Sequence, residues 1–547
     1  MKNLFLFLVI LSTMNTVLLA DTLTIGSNKP NSMIPLGGKP AKITAVVDQT
    51  SSTKSNVEFE ITNTGIFGSK QDFSGEGVGG GIKWPRNGKG YYLYGSGLWL
   101  GAVKNVNGTP SKLCVASYNP NSSRSSFQPS LLTTSPDLDS LQQTRVFRST
   151  DFNSDGTSIK KGFAANWMIW DTDPARILYV DGYTGNFVAN PLERNQVVYP
   201  GGTVVISDED FITVFDDQDL NKYYGKLDTL KKQGYPINIR VIQCVYSWSS
   251  DFLKDAVIIE QKIINIGDDT LFNCSSAPVF DFDITPLNNT TNFAYDDNFR
   301  YLKEDTALKL SVMWTEANSG EKGNGFGYMG IGFVRTPTVN NQGYLLTDIF
   351  SRDRSKQIGA KTIRSWTIDG DPIDNIERYD FITRDFIDTS VLKPSDKRFI
   401  MSTSGFNLRP HDTATIAYII CFAKPSVKPE ADGSWNDVQG VVNLFKKTRA
   451  FYDATFDKKT LGVETVEKDN NALRVYPNPS SSYLLLQSEF SSETLHLYNV
   501  LGETVRTVKT DDKGSCIINI QDLPNGVYFC RNSIKNSSKA VQVMIAR

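Results

Sequence analysis

The 547-residue sequence predicts a mainly β protein, made of several antiparallel β-sandwiches with one amphipathic helix near 435–456 and a smaller sandwich at the C-terminal end. Three observations predict it. Aromatic residues make up 11 % of the chain, beside 41 Gly and 23 Pro, a mixture suited to short strands joined by turns. Apolar and polar residues alternate strictly in places: in Asn56–Thr64 (NVEFEITNT), Val57, Phe59 and Ile61 share one face and Glu58 and Glu60 the other. Strand-like runs separated by turn signals then recur from Ile237 to Phe422: INIRVIQCVYSW, DAVIIEQKIINIG, FGYMGIGFV and TATIAYIICFA.

Taken in order, residues 1–20 have the pattern of a secretory signal peptide. Lys2 precedes the apolar run Leu4–Leu11, and Ala20 stands before the polar Asp21-Thr22. Ser12, Thr13, Asn15 and Thr16 interrupt the run well short of the ~20 apolar residues of a membrane span, and no later segment reaches that length. Residues 21–236 form an N-terminal β-rich region with loop-rich insertions, marked by Asn107-Gly108, Asn119-Pro120 and Asp155-Gly156. Gly77, Gly79, Gly80 and Gly81 are not followed by G-K-[ST], so tight turns explain them better than a phosphate loop. Residues 237–460 are a large β-sandwich ending in a helix, where Val438, Val441, Val442, Phe445 and Tyr452 recur near helical spacing. A charged linker, 461–472, separates this body from residues 473–547.

The last segment reads as about seven strands: RVYPNP, YLLLQ, TLHLYNV, TVRTV, CIINI, GVYFCR and AVQVMIA, with Gly502 and Pro524-Asn525-Gly526 at turns. Alternation and turn spacing predict a small immunoglobulin-like sandwich. The runs Val475-Tyr476-Pro477-Asn478-Pro479, Leu497 to Val505 (LYNVLGETV) and Leu523 to Phe529 (LPNGVYF) resemble the three successive blocks of the type A C-terminal sorting domain of the type IX secretion system. That resemblance implies a Gram-negative bacterial source of the Bacteroidota kind, passage across both membranes, the secretion machinery as partner, and removal of the domain at the cell surface. The body resembles, more loosely, large β-rich extracellular proteins of unassigned function that carry the same domain; GGGIKWP, YGSGLWLGA and MSTSGFNLRPHDTATIAY carry this likeness. It implies no reaction.

Composition excludes several functions. Lys and Arg (57) nearly balance Asp and Glu (59), so no basic surface exists for nucleic acid or anionic membrane. The six cysteines include no C-x-x-C pair, which removes the usual zinc and redox motifs; their even number permits disulfides without indicating a connectivity. With only His411 and His496, no H-E-x-x-H exists, and a Ser-His-Asp triad would have to use one of these two. No catalytic residue is assigned.

Oxygen ligands offer the most concrete local chemistry. Asp151, Asn153 and Asp155 follow the first half of a calcium loop, although Gly162 stands where the closing acid belongs. Asp281, Asp283, Asp296 and Asp297 form a second acidic group that could hold a structural Ca2+, solvated loop acids being the alternative. The sequence therefore predicts a secreted or surface-attached structural, adhesive or binding protein without enzymatic activity, with surface polysaccharide or matrix as a partner. The alternative is a secreted glycoside hydrolase that uses two carboxylates, with Trp84, Trp99, Trp167, Trp170 and Trp366 as sugar-stacking candidates.

Overall fold

The computed structural model describes residues 47–456 and 473–546, outside the segments 72–76, 120–124, 131–144, 152–178, 181–186, 189–197, 287–293, 316–325, 488–491 and 533–540 and some breaks of three residues or fewer. The segments expected to be a signal peptide, 1–20, and a linker, 461–472, lie outside the described residues.

Two large sheets dominate. In the first, strand order is Phe147–Arg148, Glu209–Asp216, Ile239–Ser247, Ala256–Asn265, Thr413–Ala423, Tyr328–Arg335, Ser311–Thr315 and Asp297–Tyr301, with Gln128–Pro129 added against Glu209–Asp216. The second runs Phe386–Ile387, Ala360–Thr367, Lys397–Thr403, Leu271–Asp281, Gly95–Val106 and Thr109–Ala116, with Phe406–Leu408 added against Leu271–Asp281. Neighbours are antiparallel except Phe386–Ile387, which runs parallel to Ala360–Thr367.

Alternation along the strands sorts side chains into three layers. Leu98, Leu100 and Ala102 from one sheet join Val241, Val245, Ile416 and Tyr418 from the other in a central core. Between them Trp99 points the opposite way, into an outer core with Ala277, Val279, Ile400, Tyr379 and Ile382. The far face of the first sheet buries Ile258, Ile419 and Cys421 against Val438, Val441, Val442, Phe445 and Tyr452. The order through the body is helix, sheet, sheet, helix, with Gln439–Phe456 outside the first sheet and Asn375–Thr383 outside the second.

Glycine lets both helices approach. A Cβ at Gly332 would stand 2.6 Å from the Phe445 ring, and one at Gly101 would stand 2.9 Å from Tyr379 and Ile382. The long helix also seats on a buried charge. Glu260, on the central strand Ala256–Asn265, accepts a hydrogen bond from Tyr452 Oη at 2.8 Å and lies 4.0 Å from Arg335.

The strand-rich body and the 439–456 helix follow the sequence, whereas the 236/237 division does not separate two sheets. Glu209–Asp216 pairs along its whole length with Ile239–Ser247. The turn between them is tied by Asp217, whose carboxylate accepts the amides of Ile237 and Ile239 and the Tyr223 hydroxyl at 2.6–2.8 Å. Helices Leu227–Gln233 and Asn375–Thr383 were not readable from periodicity.

The described residues of the C-terminal segment form seven strands. Arg474–Tyr476, Tyr483–Gln487 and Ser515–Asn519 make one sheet; Thr504–Lys509, Thr494–Tyr498, Gly526–Asn532 and Val541–Ile545 make the other. A core of its own, including Leu484, Leu486, Leu495, Leu497, Ile518, Tyr528 and Val543, fills the space between them.

Tyr452→Phe keeps the ring and removes one hydrogen bond from a buried carboxylate. The expected result is a loss of about 1–3 kcal/mol, read as a lower urea midpoint at unchanged m-value.

Candidate functional site

Several buried acids of the body are spent on main-chain donors. Glu209, fully buried, accepts the amides of Thr53 and Lys54 at 2.6 and 3.1 Å and the hydroxyls of Thr53 and Thr150. Asp437 accepts the amides of Val427 and Lys428 and the Tyr328 hydroxyl. These carboxylates hold turns, which sets apart the acids gathered around Arg398.

Arg398 lies at the start of Lys397–Thr403, opposite Asp281 in the neighbouring strand. Its Nε is 3.4 Å from Asp281 and 3.5 Å from Asp371, and its Nη1 is 3.9 Å from Asp396. Tyr118 Oη donates to Asp281 Oδ2 at 2.8 Å, and Trp366 Nε1 donates to Asp371 Oδ1 at 2.8 Å. Burial pushes Asp281 up to about 7, against the opposing pull of Arg398 and Tyr118. Burial, then the charges of Asp281 and Asp396, push Asp283 up to about 8. Asp371 and Asp396 are raised by burial as well. One guanidinium thus faces an excess of carboxylates, and proton uptake relieves the remainder.

Two clefts flank the Asn375–Thr383 helix. The charged one, about 630 Å³, is lined by Arg364, Asp369, Asp371, Glu377, Asp380 and Phe381, among others. Its guanidinium is stacked, Arg364 lying 3.9 Å over the centre of the Phe381 ring. The second, about 710 Å³, has Lys112, Asn119, Tyr235, Ile373, Ile376 and Arg378 in its wall. Ile373 is 81 % exposed and Ile376 48 %, an unusual cost for two isoleucines in four residues. Asp374 caps the helix, accepting the amides of Ile376 and Glu377, while Glu377 accepts the amide of Ile373. These bonds fix the segment that carries both isoleucines. Arg378 crosses beneath the helix, donating to Asn375 and Asn119 and lying 5.6 Å from the Trp99 ring.

The residues expected to bind metal fare differently. Asp151 is buried in an ion pair, with Arg148 Nη2 at 2.6 Å, while Asn153 and Asp155 lie outside the described residues. Asp281 and Asp283 do belong to an acidic cluster, but their companions are Asp371 and Asp396; Asp296 and Asp297 stand at the edge strand of the other large sheet. Arg398 supplies positive charge among the first of these groups, and the Asp297 carbonyl accepts the amide of Ser395, next to Asp396. Among the described residues no three His, Cys, Asp or Glu side chains are grouped to hold a metal ion. The sequence signals that were passed over are the turn Asp369-Gly370-Asp371-Pro372 and the charged run Asp396-Lys397-Arg398 at a strand start.

The described tryptophans are committed to packing. Trp84, Trp99, Trp248, Trp314 and Trp366 are buried, and Trp167 and Trp170 lie outside the described residues. His411 sits in an exposed turn at φ 66°, and His496 bonds Thr507 on the outside of the C-terminal sandwich.

Residues 474–546 match the family described as the secretion system C-terminal sorting domain. The chain is accordingly a type IX secretion substrate, delivered to the cell surface or the extracellular space. Among the described residues no helix is long and apolar enough to cross a membrane. No curated protein matches the chain. Similar solved structures include a polysaccharide lyase, at 9 % identity over 56 % of this chain and 34 % of that one with a TM-score of 0.16. A protein from Escherichia coli K12 assigned as an aldose 1-epimerase is 9 % identical over 69 % of this chain and 99 % of its own, with a TM-score of 0.22. The BSP domain of a biofilm associated protein is 8 % identical over 95 % and 84 %, with a TM-score of 0.13. The chain spans about a third of the lyase's length, and at these TM-scores none of the three bears on the site.

The cluster makes stability depend on pH in a set direction. The folded values of Asp281 and Asp283, about 7 and about 8, lie above the ordinary 3.8, so the folded chain holds protons that the unfolded chain releases. Their contribution is complete below about pH 4 and is lost as pH rises through the folded values. The urea midpoint should therefore fall between pH 5 and 8, and Asp283→Asn should flatten that slope by up to ~1.4 kcal/mol per pH unit. An unchanged slope in the variant would remove Asp283 from this account. For the C-terminal domain, a chain lacking residues 474–547 should accumulate in the periplasm; its display at the surface, seen by protease accessibility of intact cells, would contradict the sorting role.

Proposed function

We propose that this exported chain is a non-enzymatic binding protein of the cell surface, and that its binding face is the pair of clefts on either side of the Asn375–Thr383 helix. The observation that carries the reading is the helix itself, which presents two exposed isoleucines beside one cleft and a stacked guanidinium in the other. Exposed apolar groups held by capping bonds mark a contact surface better than a folding requirement. Three carboxylates of the charged cleft already have partners: Asp371 has Trp366 and Arg398, Glu377 has the Ile373 amide, and Asp380 has Lys112 at 2.7 Å. Hydrogen-bonding side chains around a planar stacked pair suit a hydroxyl-rich ligand such as a surface or matrix polysaccharide.

A second reading, a carboxylate-dependent glycoside hydrolase, is favoured by one observation. Asp371 lines the charged cleft and burial raises its pKa, the condition that a general acid needs, with Asp369 in the same wall.

One experiment separates the two. The exported chain is tested against a polysaccharide panel for retention in affinity gels and for release of reducing ends. Binding without release is expected, with affinity falling roughly tenfold or more in Arg364→Ala, equivalent to at least ~1.4 kcal/mol. Release of reducing ends that disappears in Asp371→Asn would establish the hydrolase instead.

A further inference from the structure

Arg364 is fixed in the charged cleft without an ion pair. It lies in the strand Ala360–Thr367, half-buried, with its guanidinium 3.9 Å from the centre of the Phe381 ring and 5.7 Å from that of the exposed Phe386 ring. Stacking engages the face of a guanidinium and leaves the N–H donors at its edge for an acceptor. Among the described residues none is supplied: no hydrogen bond leaves the Arg364 guanidinium and no carboxylate pairs with it. The arginines nearby are spent otherwise, Arg378 on Asn375 and Asn119, and Arg398 on the acids at 281, 371 and 396.

Arg384 is a second cation in the wall of the same cleft. It follows the last turn of the Asn375–Thr383 helix, and its carbonyl accepts the hydroxyl of Thr362, two residues before Arg364 on the strand. Its side chain is exposed and, among the described residues, also has no acid partner. Arg364 is held below the ordinary arginine value by burial first and by the charge of Arg384 second, with Asp388 opposing from the end of the neighbouring strand. An anion at the edge of the stacked guanidinium offsets both effects.

The acids of the cleft narrow the choice of anion. Asp371, Glu377 and Asp380 have the partners given above, whereas Asp369 stays exposed. The wall therefore combines donors for a negative group with acceptors for hydroxyls. A sugar acid presents both, one planar carboxylate that matches the guanidinium fork and several hydroxyls beside it. A densely sulfated polymer would bring its additional charges against Asp369 and Asp371.

We propose, resting on the reading of these clefts as a polysaccharide-binding face, that the ligand is a polyuronate, whose carboxylate is taken by Arg364 and Arg384 while its hydroxyls donate to the acids of the same wall. The full exported chain is measured on immobilised polygalacturonate, on the same polymer with its carboxyls methyl-esterified, and on dextran sulfate. Polygalacturonate is expected to bind tighter than either by roughly tenfold or more, and to weaken as salt is raised. Arg384→Gln changes an exposed side chain and should lose roughly tenfold or more for polygalacturonate and little for the ester. Arg364→Lys keeps the charge without the planar fork and should lose affinity for polygalacturonate at an unchanged urea midpoint. Equal affinity for polygalacturonate and its ester, equal or tighter binding to dextran sulfate, or polygalacturonate binding untouched in both variants overturns the proposal. Retention of a neutral polysaccharide alone also overturns it and leaves the polysaccharide-binding face standing; retention of no polysaccharide removes that reading, and this inference with it.

Discussion

The ladder between Ala256–Asn265 and Thr413–Ala423 is the constraint on which the body rests. Nine consecutive pairs, from Ala256 with Cys421 to Ile264 with Thr413, close an excursion of about 150 residues. Within that excursion lie the strands Leu271–Asp281, Ala360–Thr367 and Lys397–Thr403 and the Asn375–Thr383 helix, in other words most of the second sheet and the whole helix between the clefts. Closing a loop costs only slowly more as it lengthens, about 0.6 kcal/mol per doubling, so a few well-buried strand pairs suffice to hold it. The same two strands carry the central core on one side and the long helix on the other, and Glu260 marks the point where that helix is fixed.

Charge is buried in this protein in two different ways. Glu209, Asp217 and Asp437 replace missing backbone partners at turns, so each is surrounded by donors. The acids around Arg398 share one cation, and burial raises them, as it raises Asp217. The first arrangement stabilises by supplying acceptors to main-chain donors. The second draws together residues from three separate stretches, near 281, 371 and 396, and its balance is set by protons.

How much of this was legible in the residues depended on range. Alternation identified the strands, and the 439–456 helix was visible because Val438, Val441, Val442, Phe445 and Tyr452 all turn to one face. The Asn375–Thr383 helix was not, since among its nine residues only Arg378, Tyr379 and Ile382 are buried and its exposed residues include Ile376. Asp281 and Asp283 stand together among the acids around Arg398. Their nearest sequence companions, Asp296 and Asp297, proved to be on another sheet, because strand pairing brings residue 398 to 281 and no local pattern encodes that pairing. Among the described residues of the C-terminal domain, seven strands fall on the separate runs that alternation marks in the sequence.

Trp99 and Trp366 lie with ring centres 6.2 Å apart. Arg378, from the wall of the isoleucine-lined cleft, rests 5.6 Å from the first indole; Asp371, from the wall of the charged cleft, accepts a hydrogen bond from the second. The clefts therefore have a common floor. A ligand that shifts the guanidinium in one or the carboxylate in the other works against the same pair of tilted indoles, so the two openings behave mechanically as a single seat with a helix for its dividing arm.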